Sequence, residues 1–166
     1  TEAEPISTVS LAEMDADDLS ATSGGRGLLA GTPVECLQLR IVRVPSASSI
    51  TSLSRDEFAR ICPPVGEPGE IFVQGAHVLS GYQNGQGEAE NKIRVDDVLW
   101  HRTGDAGYLD DRGRLWLLGR CAARVDDVRG VLYPFGVEHA GLQNDAIRRA
   151  AMIAIRGDIS HSATAR

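Results

Sequence analysis

Cysteine, lysine and aromatic residues are the scarcest parts of this 166-residue sequence, and each scarcity excludes something. The three cysteines, Cys36, Cys62 and Cys121, are odd in number and no two stand at metal-binding or redox spacing. A disulfide framework is therefore not expected, and reduced thiols in a cytoplasmic protein are. The 4 histidines are scattered without a ligand pattern, so no protein-bound zinc is expected. Lys92 is the single lysine, and the net charge is −6. A nucleic-acid partner would want a basic face, which this balance does not supply. Aromatics make up 5% of the chain, enough for one core but not a large one. No apolar run approaches the length of a membrane-spanning helix, and there is no internal repeat or low-complexity tract.

What is present reads as short strands and glycine-rich turns with a few helices. The first 25 residues are acidic and small, and a loop or short, poorly packed helix is expected there. Cys36 to Val44 alternates apolar and polar residues at period two, as a half-buried strand does, and Pro45 ends it. Ser54 followed by Glu57 is a capping box opening a helix that must stop before Pro63-Pro64. Glu70–Gly75 reads as a second strand, with Val78 to Tyr82 continuing in extended form. Asp110-Asp111-Arg112-Gly113 is a hairpin turn between Tyr108-Leu109 and the strand Arg114–Leu118. Pro134 suits a helix start, with helix expected to about Asn144 and a strand over Arg148–Ile155. Lys92 falls in a linker between β segments. The fold class expected is α+β and β-rich: a small distorted barrel or meander, then a hinge and the start of an α+β C-terminal domain. The division is 1–30 as an acidic lead-in, 31–119 as the β-rich subdomain, and 120–166 as hinge and C-terminal start.

The most specific signal is the run Trp100-His101-Arg102-Thr103-Gly104-Asp105-Ala106-Gly107-Tyr108. Around it, in order, stand Thr1-Glu2, then Gly69-Glu70-Ile71-Phe72-Val73-Gln74-Gly75 with Gly81-Tyr82-Gln83-Asn84, then Gly119-Arg120 and Tyr133-Pro134-Phe135-Gly136-Val137-Glu138. Thr-Gly-Asp alone is ordinary turn chemistry. The ordered set resembles the adenylate-forming superfamily, which includes acyl-CoA synthetases, fatty-acyl-AMP ligases and peptide-synthetase adenylation domains. The run around Asp105, with Gly119-Arg120 and Arg124-Val125, looks similar to the β-lactone synthetases of olefin biosynthesis, and Tyr133-Pro134 to the fatty-acyl-AMP ligases.

The resemblance implies ATP-dependent activation of a carboxylate, of a fatty or 3-hydroxy fatty acid, with release of pyrophosphate and with ATP/AMP and Mg²⁺ as cofactors. CoA, a carrier protein or an internal hydroxyl would be the second acceptor. It implies nucleotide-binding roles for Asp105, Arg120 and Thr1. A carboxylate is a double acceptor suited to both ribose hydroxyls, which fits Asp105, and Arg120 is a fixed cation for phosphate or ribose oxygens. Glu2 would give Mg²⁺ an oxygen. Ala122 stands where many relatives carry a hinge Asp or Lys, which puts the details of domain rotation in question. The family's phosphate loop and its C-terminal lysine would lie outside this sequence, and Lys92 does not match that lysine by position. No catalytic residue is therefore expected here, and the chain is expected to be inactive alone, a part of its adenylation domain. A non-catalytic β-rich interaction module keeping ancestral packing is the competing class.

Overall fold

Alternation along Leu37–Val42 sets the first long strand: Leu37, Leu39 and Ile41 are buried while Gln38 and Arg40 face outward. This is the period-two signature of a strand with one covered face. The computed structural model describes residues 2–43, 50–128 and 130–155, so Thr1 and the predicted strand end at Val44-Pro45 lie outside the described residues. In chain order the strands are β1 (Ser7–Thr8), β2 (Leu28–Pro33), β3 (Leu37–Val42), β4 (Ser52–Leu53), β5 (Gly69–Gly75), β6 (Lys92–Val95), β7 (Val98–Leu109), β8 (Leu115–Arg120), β9 (Val125–Asp127) and β10 (Gly130–Leu132). The α-helices are α1 (Ala16–Ser23), α2 (Arg55–Ile61), α3 (Glu88–Asn91) and α4 (Pro134–Gly141).

The architecture is the β-rich α+β class expected. Among the described residues eight strands form one sheet in the order β1-β2-β8-β7-β5-β3, with β6 on β7 and β4 parallel to β6, while β9 and β10 pair only with each other. The sheet is open, with β1 and β3 at its ends, rather than closed into a barrel. β7, 12 residues long, is its hub. The N-terminal half of β7 pairs with β6, the middle with β5 and the C-terminal half with β8. β5 is covered on both faces. Ile71 and Val73 join Leu37, Leu39, Ile41 and Leu115 on one side, and Phe72 joins Val42, Phe58, Ile93 and Trp100 on the other. Full burial of a side chain like Phe72 or Ile71 contributes about 1.5–3 kcal/mol each. Helix α2 closes the second face through Phe58, whose ring lies 5.1 Å from Trp100. Its capping box forms as the sequence predicts, with Ser54 and Glu57 bonding each other's backbone N–H groups, and it ends before the prolines.

The Asp110–Gly113 hairpin and the proline-led helix α4 also form where expected. Four readings need correction. The acidic lead-in takes the short-helix alternative, α1, but that helix is pinned rather than poorly packed. Asp18 is buried and takes both Nη atoms of Arg114 at 2.8 Å. Val78–Tyr82 is loop, not extended strand, because Leu79 spends its N–H on the Glu2 carbonyl at 2.8 Å and its carbonyl on Lys92 Nζ. Lys92 is no linker residue: it opens β6, is buried, and its ammonium lies 5.4 Å from the Tyr82 ring centre. Arg148–Ile155 is coil: it pairs with no strand among the described residues, and Ile153 and Ile155 stay exposed.

Candidate nucleotide-facing site

Two sequence motifs become one object here. Thr103 Oγ1 donates to the Ile71 carbonyl on β5 at 2.9 Å and accepts from the Asp105 N–H at 3.0 Å. The Gly104 N–H donates to Glu70 Oε1 at 3.3 Å, and Gly104 sits at φ +72°, where a glycine turns without strain. Glu70 in turn takes Arg102 through Nη2 at 2.8 Å and Nε at 3.3 Å. The side chains of this pair are only 6% and 16% exposed, and the Arg102 guanidinium also lies over the Phe72 ring. The β5–β7 ladder shifts register between Glu70 and Phe72, and the β7–β8 ladder between Ala106 and Gly107. Bulges of this kind re-aim a side chain out of a sheet. Asp105 lies on β7 within the first, between Arg102 and Ala106, and just before the second.

Asp105 and Arg120 are direct partners across β7 and β8, with Arg120 Nη1 donating to Asp105 Oδ1 at 2.9 Å and to the Thr103 carbonyl at 3.2 Å. Arg120 is held even more firmly protonated than usual, first by the Asp105 hydrogen bond and then by its charge. The guanidinium is two-thirds exposed, so the pair contributes little to stability. Its chemical value lies in presentation: an acceptor and a cation fixed side by side at the surface.

Of the other predicted residues, Glu2 holds Leu79 through its carbonyl, and its charge acts on Lys92, His101, Tyr82 and Arg120. It therefore lies within electrostatic reach of the Asp105–Arg120 pair. Thr1 lies outside the described residues. Ala122 is exposed in a 3₁₀ turn after β8. There it lines a cleft of about 730 Å³ with Glu70, Arg102, Arg124 and Tyr133. A second cleft, about 620 Å³ beside Phe58 and Trp100, contains none of the predicted site residues. Sequence reasoning missed the Glu70–Arg102 pair and buried His101. The available signal was a charged or imidazole side chain inside an otherwise apolar strand pattern. His101 Nδ1 donates to the Asn91 carbonyl at 3.1 Å, and burial, then the Lys92 charge, pushes its pKa down, so it is neutral. No group of three or more His, Cys, Asp or Glu able to hold a metal occurs among the described residues. No described helix is long and apolar enough to cross a membrane.

No family model matches the chain. It is 34% identical over 161 residues to the olefin beta-lactone synthetase of Stenotrophomonas maltophilia, covering 93% of this chain and 28% of that enzyme. Among solved structures, unliganded O-succinylbenzoate coenzyme A synthetase from Bacillus subtilis superimposes with a TM-score of 0.59 at 26% identity, covering 80% of this chain and 25% of that one. The same enzyme in complex with AMP shares the fold with a TM-score of 0.52 at 24% identity, covering 80% of this chain and 24% of that one. The chain is homologous to one stretch of the adenylate-forming enzymes. It spans about a quarter of the length of these relatives. In this chain the motif around Asp105 is carried by the sheet's longest strand, and Gly69-Glu70-Ile71 belongs to the strand that braces it.

Proposed function

We propose that the chain supplies the nucleotide-facing part of an ATP-dependent, carboxylate-activating synthetase. The observation that carries this reading is the Asp105–Arg120 pair, presented from the β5–β7 irregularity and braced by Glu70–Arg102 through the Gly104 N–H. The residues fit a nucleotide. Asp105 Oδ1 is engaged by Arg120, while Oδ2 accepts no hydrogen bond among the described residues and faces a half-exposed setting. In this reading Asp105 takes the ribose hydroxyls, and Arg120 stays beside it for ribose or phosphate oxygens. ATP, when bound, would supply the adenylyl group that joins the carboxylate as pyrophosphate leaves, and the chain's own part is to hold and orient it. Glu2 would offer a carboxylate oxygen to Mg²⁺, with the phosphates and water filling the remaining positions of such an ion. Thr1 beside it would meet phosphate.

The similarity to a β-lactone synthetase supports a fatty or 3-hydroxy fatty acid as substrate, with an internal hydroxyl as acceptor; CoA and a carrier protein are the alternatives. The parent enzyme would work in the cytoplasm. Residues 1–30, 31–119 and 120–166 then serve as lead-in, adenylation-core subdomain and hinge with the C-terminal start. Ala122 is the hinge position. The chain alone is expected to turn nothing over. ATP affinity of the parent enzyme, wild type and Asp105→Ala, tests the site. Charge-assisted hydrogen bonds contribute about 1.5–3 kcal/mol, so loss of the carboxylate should weaken ATP by about tenfold or more without unfolding the protein. Unchanged affinity in a folded variant rejects the ribose role. Product analysis with ATP, Mg²⁺ and a long-chain 3-hydroxy acid tests the substrate: a β-lactone with AMP supports it, and an accumulating acyl-adenylate points to an acyl-AMP ligase. Absence of ATP consumption with any carboxylate favours the interaction-module class.

A further inference from the structure

Away from the nucleotide-facing site, the turn between β2 and β3 carries Cys36, an exposed thiol whose Sγ lies 3.8 Å from His77 Nδ1. His77 follows the end of β5, and its Nε2 lies 3.3 Å from the Pro5 carbonyl oxygen. A carbonyl oxygen only accepts, so Nε2 carries the ring hydrogen. Nδ1 is then the ring nitrogen whose lone pair faces the thiol. The approach is built into the fold. Gly75 pairs with Leu37, and a Cβ on Gly75 would come within 2.8 Å of the Cys36 carbonyl oxygen and 3.5 Å of His77 Cε1. A larger residue there would displace the turn at Cys36, while the imidazole sits at ordinary contact distance. The chain therefore holds an exposed sulfur, a base aimed at it, and a third group that fixes the base's tautomer, the arrangement that activates a nucleophile.

The other two thiols differ on each count. Cys62 is part-buried and donates to the Phe58 carbonyl at 3.3 Å within helix α2. Cys121 is part-buried at the end of β8. Burial pushes both pKa values up, that of Cys121 to about 12, which keeps them as inert thiols.

We propose that Cys36, with His77 as its base, is the thiol of this chain that small soft electrophiles modify. In the step, Sγ attacks the electrophilic carbon while the thiol proton passes to His77 Nδ1. With an α-halo amide, the S–C bond forms, the carbon–halogen bond breaks and halide leaves. The imidazolium then returns its proton to solvent. Neither residue belongs to the Asp105–Arg120 site, so this inference stands or falls independently of the nucleotide reading.

The test treats the 166-residue chain with iodoacetamide at neutral pH and follows each cysteine by site-resolved mass spectrometry. A peptide spanning residues 33–40 provides the unassisted rate for the same thiol. A free thiol is only a few per cent thiolate at pH 7, which leaves room for about a tenfold gain. Cys36 in the folded chain should react about tenfold faster than in the peptide, with Cys62 and Cys121 far slower. His77→Gln should bring Cys36 back to the peptide rate. His77 is exposed, and continued protection of Cys62 and Cys121 in the variant reports that it is still folded. A wild-type Cys36 no faster than the peptide overturns the proposal whatever the variant does. So does an unchanged Cys36 rate in a folded His77→Gln chain.

Discussion

Asp105 and Glu70 are both carboxylates bound to an arginine, yet their surroundings give them opposite work. Asp105–Arg120 is open to water, and screening leaves such a pair with little effect on folding. Glu70–Arg102 is almost wholly buried and tied to the Gly104 N–H, so removing one partner strands a charge in the interior. Breaking a buried pair typically costs about 3–5 kcal/mol. We expect Arg102→Ala to lower unfolding stability by about that amount in urea titration, and Asp105→Ala to leave it within about 0.5 kcal/mol. A stability loss in Asp105→Ala as large as in Arg102→Ala would mean that Asp105 is part of the scaffold.

Among the elements, α4 is held by close backbone approach rather than by a large apolar face. Gly119 sits at φ +117°, and a Cβ there would come within 2.7 Å of Pro134 Cγ at the helix start. Gly136 makes a similar approach, its missing Cβ falling 2.3 Å from the Gly25 carbonyl oxygen. Gly119→Ala should therefore displace α4 while β7 and β8 keep their pairing. Hydrogen exchange would show this as lost protection over Pro134–Gly141 with β7 still protected; unchanged protection of α4 would refute the packing argument. The β9–β10 hairpin pairs with no other strand, and Val131 and Leu132 remain exposed on it. Helix α1 is fixed from the opposite direction, by Arg114 reaching from the hairpin turn to Asp18 and Asp110 at once.

At the scale of the whole molecule, acid should weaken the fold in two stages. His101 has a folded pKa pushed below its unfolded value of about 6.5, so protonation favours the unfolded chain. Its contribution is present above that pH and is lost as pH falls below it. The Asp18 carboxyl is held low, chiefly by the Arg114 hydrogen bonds. Its contribution is present above about pH 3.9 and is lost as pH falls through the folded value. Stability measured against pH should show both declines. His101→Gln should remove the first, and Asp18→Asn should reduce the second, to which Glu57 and Asp110 also contribute because they too are held low; a His101→Gln profile matching wild type between pH 5 and 7 would exclude the histidine. Exposed apolar side chains also gather late in the chain, at Val128, Val131, Leu132, Val137, Leu142, Ile153 and Ile155. Sedimentation of the 166-residue chain should show concentration-dependent association, and serine at Val131 and Leu132 should reduce it. A concentration-independent monomer would count against this surface being adhesive.

The sequence by itself determined what depends on near neighbours. It showed the β-rich class, the strand at Leu37–Val42, the capped helix after Ser54, the hairpin at Asp110–Gly113 and the motif around Asp105, because periodicity, caps and turn chemistry act over a few residues. Tertiary structure alone decided the rest. Lys92 looks like a linker residue until the Leu79 carbonyl and the Tyr82 ring surround it. Arg148–Ile155 has strand composition, but a strand exists only where it pairs with another, and this stretch docks on no edge among the described residues. The bracing of Asp105 by Glu70, 35 residues earlier, and the meeting of Cys36 with His77 arise from pairing β3 and β7 on either side of β5. Such contacts follow from sheet order and register, which local propensity does not encode.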